Sequence, residues 1–185
     1  MPNIFPLNKV EAHFKQALQY LPGMLGNDAV NFFLDNFKRQ GWIGTSIEPW
    51  RQRSSKAKRN KGRAILIQSG RLRRSIRITG ITGGTVAIGT DVPYARAHNE
   101  GFTGIVNVKA HSRNRFTKEK LGSGKFTKSG KERMKTVQRI SGSGMVKAHT
   151  RKVNIVRRQF MGESPYLTKI LQPRITAELM KGLRT

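Results

Sequence analysis

Tyr94, His98 and Glu100 stand close together in the chain, and side chains of these types exchange protons in general acid–base catalysis. No second carboxylate, nucleophile or phosphate-binding loop in proper context lies nearby. Tyr94 and His98 are four residues apart, a spacing that puts them on one face of a short helical turn. The cluster therefore reads as a structural corner and not as a catalytic site. Tyr94 is expected to anchor the turn to the core. His98 or Asn99 then satisfies backbone groups at a strand end, and Gly101 supplies the backbone angle that redirects the chain.

Other constellations are weaker. His98, His111 and His149 could hold zinc if a hairpin brought them together. The last two lie in matching basic repeats near Arg113 and Arg151, where contact with phosphate or carboxylate competes. Gly122-Ser123-Gly124-Lys125 has the composition of a phosphate loop but lacks the spaced leading glycine and the buried strand before it. The chain has no cysteine, which removes disulfides and thiolate ligands. No catalytic residues, metal or cofactor are expected, and the protein is read as a non-enzyme.

Charge is the dominant compositional signal. The net charge is +26, from 36 Lys and Arg against 10 Asp and Glu. Residues 1–50 are balanced, whereas 51–104 carry 12 basic and 2 acidic side chains, and 105–158 carry 16 and 2. Such a field draws in polyanions or acidic protein surfaces, and it repels copies of the same chain unless a counter-charge is present. The two basic stretches are 51–63 and 109–152. Lys109, Arg113, Arg115, Lys147, Arg151 and Lys152 are the expected contacts with a polyanion or an acidic partner. Phosphate neutralisation needs only such density and gives salt-sensitive binding without sequence preference. Docking on acidic protein surfaces and simple solubility are the competing readings. Phe102, Phe116 and Phe126 are too sparse for a base-stacking platform, and no recognition helix or zinc finger is present.

The elements that must position these residues follow from periodicity. The 185 residues, 36% of them hydrophobic, suit a single domain, 1–185, with an extended basic hairpin arm inserted at 105–158. A first helix is predicted over 7–20, broken by Pro22-Gly23. A second runs from about Asn27 to Gln40, capped by Asn27 or Asp28, with Ala29, Phe32, Phe33 and Phe37 as its core stripe and Gly41 as its C-cap. Trp42, Ile43, Ile47 and Trp50 form an irregular connector over the core edge. Ser54–Arg63 reads as a basic loop, and Ala64–Arg74 as a helical segment interrupted by Gly70. Ser75–Thr79 and Thr85–Gly89 alternate as strands around a Gly83-Gly84 hairpin turn, with Ile76, Ile78 and Ile81 facing one way. Tyr94–His98 makes one helical turn, and Ile105, Val106 and Val108 begin a strand. Val108–Arg113 and Val146–Arg151 echo each other and are expected on opposing strands of one long hairpin. Its tip, about Asn114–Gly144, reads as mobile. A final helix over Pro165–Leu183 is capped by Ser164 and kinked at Pro173. Its apolar face comprises Tyr166, Leu167, Ile170, Leu171, Ile175, Leu179 and Leu183. The fold class is α+β: helices packed on a small antiparallel sheet. No apolar run reaches the ~20 residues of a membrane span, and no signal-peptide pattern is seen, so action in the cytoplasm or in an assembly built there is expected.

Three segments occur in a telling order: Ser69-Gly70-Arg71-Leu72-Arg73-Arg74-Ser75-Ile76, then Gly89-Thr90-Asp91-Val92-Pro93-Tyr94-Ala95-Arg96-Ala97-His98-Asn99-Glu100-Gly101, then Arg158-Gln159-Phe160-Met161-Gly162. In this order they resemble the virion morphogenesis (tail completion) family of tailed bacteriophages, with Gly70, Leu72, Phe160 and Gly162 at motif positions. The resemblance implies a structural virion protein of the neck, a six- or twelve-fold homo-oligomeric ring. Its implied partners are head–tail connector, tail terminator or tail tube proteins, with genome DNA passing through the channel and no membrane contact. The segment between Gly101 and Arg158 is longer than many members need, so no contact carries over to it. The alternative is a free, non-specific nucleic-acid-binding basic protein.

Overall fold

The computed structural model describes residues 7–53 and 62–181. Most of the basic loop expected at 54–63, and Leu183, lie outside the described residues. The chain divides into two compact units, one made of residues 1–102 and 155–185, the other of residues 103–154.

The first unit is organised by α1 (Leu7–Arg39), a single helix of 33 residues. The expected break at Pro22-Gly23 does not occur, and neither does a capped start at Asn27 or Asp28. A proline inside a helix removes a donor and crowds the preceding turn, at about 3 kcal/mol. Burial offsets that cost. Ala17 and Leu21 before the proline, and Ala29, Phe32, Phe33 and Phe37 after it, are buried along one stripe, and each large side chain taken out of water contributes about 1.5–3 kcal/mol. The helix ends at Gln40, which takes the left-handed conformation (φ 57°) expected of Gly41. Gly41 instead opens β1 (Gly41–Ile43), where an added Cβ would stand 2.7 Å from the Glu48 carbonyl oxygen on the paired β2 (Ile47–Pro49). The predicted connector is thus a short hairpin, with Trp42, Ile43 and Trp50 buried and Ile47 exposed.

Residues 64–70 form irregular turns, and the predicted helix shrinks to α2 (Arg71–Ser75), entered from Gly70 at φ 72°. The hairpin β3 (Arg77–Thr82) and β4 (Thr85–Gly89) turns on Gly83 and Gly84, both at positive φ. Ile78 pairs with Ile88 and Ile81 with Val86, with a bulge between Ile78 and Gly80. The bulge is what keeps Ile78 and Ile81, three apart, on one face. That face packs on α1 so closely that a Cβ at Gly26 would fall 2.7 Å from Ile78 Cδ1 and 2.8 Å from Val86 Cγ1.

α3 (Ala95–Glu100) follows, and α4 (Pro165–Lys181) closes the unit. Ser164 caps α4 as expected: its Oγ accepts from Leu167 N–H (3.2 Å) and donates to the Ile43 carbonyl (2.7 Å). Pro173 lies inside the helix, and no residue of α4 is fully buried. Its predicted apolar face is only partly covered, with Tyr166 and Ile170 43% and 39% exposed. Polar ties hold it to α1: Arg174 pairs with Asp28, and Tyr20 Oη donates to Glu178 Oε2 (2.8 Å). The core they enclose is aromatic. Phe37 meets Trp50 edge-on at 5.5 Å between centroids and Phe160 at 5.2 Å.

The second unit is a two-stage hairpin. β5 (Phe102–Val108) pairs with β8 (His149–Ile155), and β6 (His111–Phe126) pairs antiparallel with β7 (Glu132–Val146). Residues 114–144, expected as a mobile tip, are therefore a long strand ladder closed by the turn at 127–131, where Thr127 N donates to the Lys131 carbonyl at 2.8 Å. With α-helices in one unit and, among the described residues, four two-stranded antiparallel sheets, the fold is α+β.

Candidate interaction surfaces

The corner at 89–101 is built from short polar bonds around two buried side chains, Val92 and Ala95. Tyr94 is not the anchor: its side chain is 42% exposed and meets the His98 ring edge-on at 5.9 Å. Asn99 takes that part. Its Oδ1 accepts from the backbone N–H of Phe160 (2.9 Å) and of Met161 (3.0 Å), and its Nδ2 donates to the Met161 carbonyl (3.1 Å). His98 contributes through its backbone, its carbonyl accepting from Arg158 N–H at 2.8 Å. Gly101 sits at φ 82°, and a Cβ there would crowd the Arg157 nitrogen at 3.2 Å. Leu72 and Phe160 are buried at 2% and 1% exposure, and Gly162 takes φ 141°. These motif residues thus build the core and its turns.

The imidazole of His98 is half-buried. Burial, and then the Arg158 guanidinium, push its pKa below the ordinary value. Burial, then Arg53 and Arg51, likewise push Arg158 down. Tyr94, His98 and Glu100 do not converge: Glu100 pairs outward with Arg96 at 2.9 Å. Among the described residues no group of three or more His, Cys, Asp or Glu is placed to hold a metal. Nor is any helix there long and apolar enough to cross a membrane.

The hairpin unit is dense in charge. Residues 103–154 hold 14 basic and 2 acidic side chains. The sequence echo marks a matched pair of corners. Lys109-Ala110 interrupts one leg between β5 and β6, and Lys147-Ala148 interrupts the other between β7 and β8. At each, a histidine folds back, His111 Nδ1 onto the Lys109 carbonyl and His149 Nδ1 onto the Lys147 carbonyl, both at 3.0 Å. Register then sorts the ladder into faces, since directly paired residues share one. Phe116 pairs with Ile140 and Ser112 with Met145, which puts Phe116, Ile140 and Met145 on one face. Arg113, Arg115 and Arg139 lie on the other. All three apolar side chains are more than half exposed. Composition does not reveal this apolar patch, because it emerges only once register is known. Lys109, Lys147, Arg151 and Lys152 are exposed as well.

A small α+β protein with a clasped core and an exposed basic ribbon has the makings of a structural assembly subunit. The chain matches the sequence model of the phage virion morphogenesis family over residues 7–180, and it belongs to that family of virion assembly proteins. No curated protein and no solved structure matches it.

Proposed function

We propose that the protein is a tail completion subunit of the phage neck, acting by subunit–subunit contact at the head–tail interface. The observation that carries this reading is the hairpin ladder of 103–154, long and basic with an exposed apolar patch on one face, within a chain of the virion morphogenesis family. A two-stranded ribbon has little stability alone in water. Its exposed Phe116, Ile140 and Met145 gain most by docking on a neighbour. In a ring, six- or twelve-fold, the ribbon reaches an adjacent copy, a head–tail connector, or a tail terminator or tail tube protein. Arg113, Arg115 and Arg139 on the opposite face then meet acidic protein surface or passing genome DNA.

Negative-stain microscopy of a lysate from a phage lacking this gene tests the placement. Full heads and tails lying separate are expected. Intact virions in that lysate would overturn it and leave the free nucleic-acid-binding protein as the better reading.

A further inference from the structure

The three sequence segments that carry the family resemblance meet around one cavity in the first unit. Ser69, Arg71 and Leu72 come from the first, Tyr94 and His98 from the second, and Arg158 from the third. Arg53, Ile65 and Leu66 complete much of its wall, and its volume is about 400 Å³. Three guanidinium groups thus line a concave space into which, among the described residues, no carboxylate projects. Arg158 is pushed below its ordinary pKa first by burial and then by the nearby charges of Arg53 and Arg51. Part of each of two forks is committed to backbone. Arg53 donates to the Arg63 and Ala64 carbonyls, and Arg158 donates to the Arg51 carbonyl. These bonds fix the planes of the forks in advance of any ligand, which lowers the ordering cost of binding.

The wall is also strained. Leu66 has φ 61°, a conformation rarely tolerated by a bulky residue and found disproportionately at ligand sites. It is held there through Ile65, whose N–H donates to Gln40 Oε1 (2.5 Å) and whose carbonyl accepts from Gln40 Nε2 (3.2 Å). Leu66 and Leu72 form an apolar lining beside the arginines.

We propose that this cavity is a socket for an acidic segment of a partner protein, one carboxylate flanked by an apolar side chain. The carboxylate matches the planar forks of the arginines. The apolar neighbour fills the space beside Leu66 and Leu72 and excludes water from the ion pairs. Nucleic acid is the poorer occupant. A phosphate backbone is satisfied by exposed Lys and Arg density, which the hairpin supplies, and it has no use for an apolar pocket. The socket does not depend on where in the virion the protein acts, so its test is made on the purified full-length protein.

The probe is acetyl-Leu-Glu-Phe-amide, titrated while the His98 imidazole signals are followed by NMR, with His13, His111 and His149 as internal references. Acetyl-Leu-Gln-Phe-amide, inorganic phosphate and a short DNA duplex are the comparison ligands. The glutamate peptide is expected to shift the His98 signals saturably, and the glutamine peptide is not. Arg71→Gln, a change at an exposed side chain, should weaken the response about fivefold through removal of a charge-assisted hydrogen bond. Arg113→Gln on the hairpin should leave it unchanged. Equal shifts from both peptides, no shift at all, or a response to phosphate or DNA as strong as to the glutamate peptide would each overturn the socket.

Discussion

Asn99 holds Phe160 in the core through its backbone: one carboxamide oxygen accepts the backbone N–H groups of Phe160 and Met161 at 2.9 and 3.0 Å. The partner nitrogen closes the clasp on the Met161 carbonyl. Asn99→Ala leaves two partly buried donors without acceptors. Each orphaned group costs about 1–3 kcal/mol, so a net destabilisation of roughly 2–4 kcal/mol is expected in denaturant unfolding. Thr103→Ala, which removes an exposed hydrogen bond to Asn154, should cost less than about 0.5 kcal/mol. Equal midpoints for the two variants would show that the clasp does not hold Phe160.

Helix α1 and the β3–β4 hairpin pack tightly at Gly26. Alanine is a better helix former than glycine by about 1 kcal/mol, so Gly26→Ala on an open helix face would stabilise. Here the new methyl would stand 2.7 Å from Ile78 Cδ1 and 2.8 Å from Val86 Cγ1. Overpacking of this kind costs about 1–3 kcal/mol, and it is expected to win. Ile78→Val deletes the nearer obstructing atom. The double variant should therefore be more stable than the sum of the two singles predicts, a coupling that a double-mutant cycle reads directly. Strict additivity would mean that the helix simply moves away from the sheet.

Much of this architecture is legible in the chain, and the failures have physical causes. Gly83-Gly84 between alternating strands and Ser164-Pro165 before an apolar stripe are local signals, and local signals set those turns and caps. Pro22 is a local signal too, but Ala17 and Leu21 bury on the same stripe as Phe32 and Phe37, and tertiary packing overrides it. Gly41 misleads because a glycine after a helix has two uses. Here it admits the Glu48 carbonyl, and Gln40 turns left-handed in its place. The ladder at 114–144 is hidden because both faces are largely exposed, so its strands show little apolar alternation. The arginine-lined cavity is hidden for a different reason: Arg53, Arg71 and Arg158 are far apart in sequence, and each alone reads as surface charge.

His98 gives the protein a stability term that depends on pH. Burial and the Arg158 charge depress its pKa in the folded state below the unfolded value of about 6.5. Among the described residues, Arg53, Arg71, Arg158 and Tyr94 share the cavity wall with it, and no carboxylate stands there to counter the shift. The unfolded chain therefore binds the proton more readily, and stability rises with pH. The contribution is fully present above about pH 6.5 and is lost as pH falls through the folded-state value. His98→Gln removes this dependence. The melting temperature of the wild type minus that of His98→Gln should fall as pH drops from about 7.5 to about 5.5. A difference that is flat or rises on acidification would refute the assignment.

The hairpin is expected to be dispensable for folding and indispensable for assembly. Among the described residues, all the buried hydrophobic side chains lie outside 103–154, so replacing 114–144 with a short Asn-Gly turn removes none of the core. The first unit should melt within about 2 °C of the intact protein, because its buried packing is untouched. The same replacement removes nine basic and two acidic side chains, together with the exposed Phe116 and Ile140. Weak duplex binding should fall, and the slope of log affinity against log salt should flatten by about 0.9 for each phosphate that is no longer neutralised. A phage carrying the replacement should accumulate unjoined heads and tails. If only the charge matters, Phe116→Ser with Ile140→Ser should assemble normally, whereas the apolar face acting as a docking surface makes that variant defective with its DNA binding intact. Full-titre virions from the replacement phage would remove the hairpin from the assembly mechanism altogether.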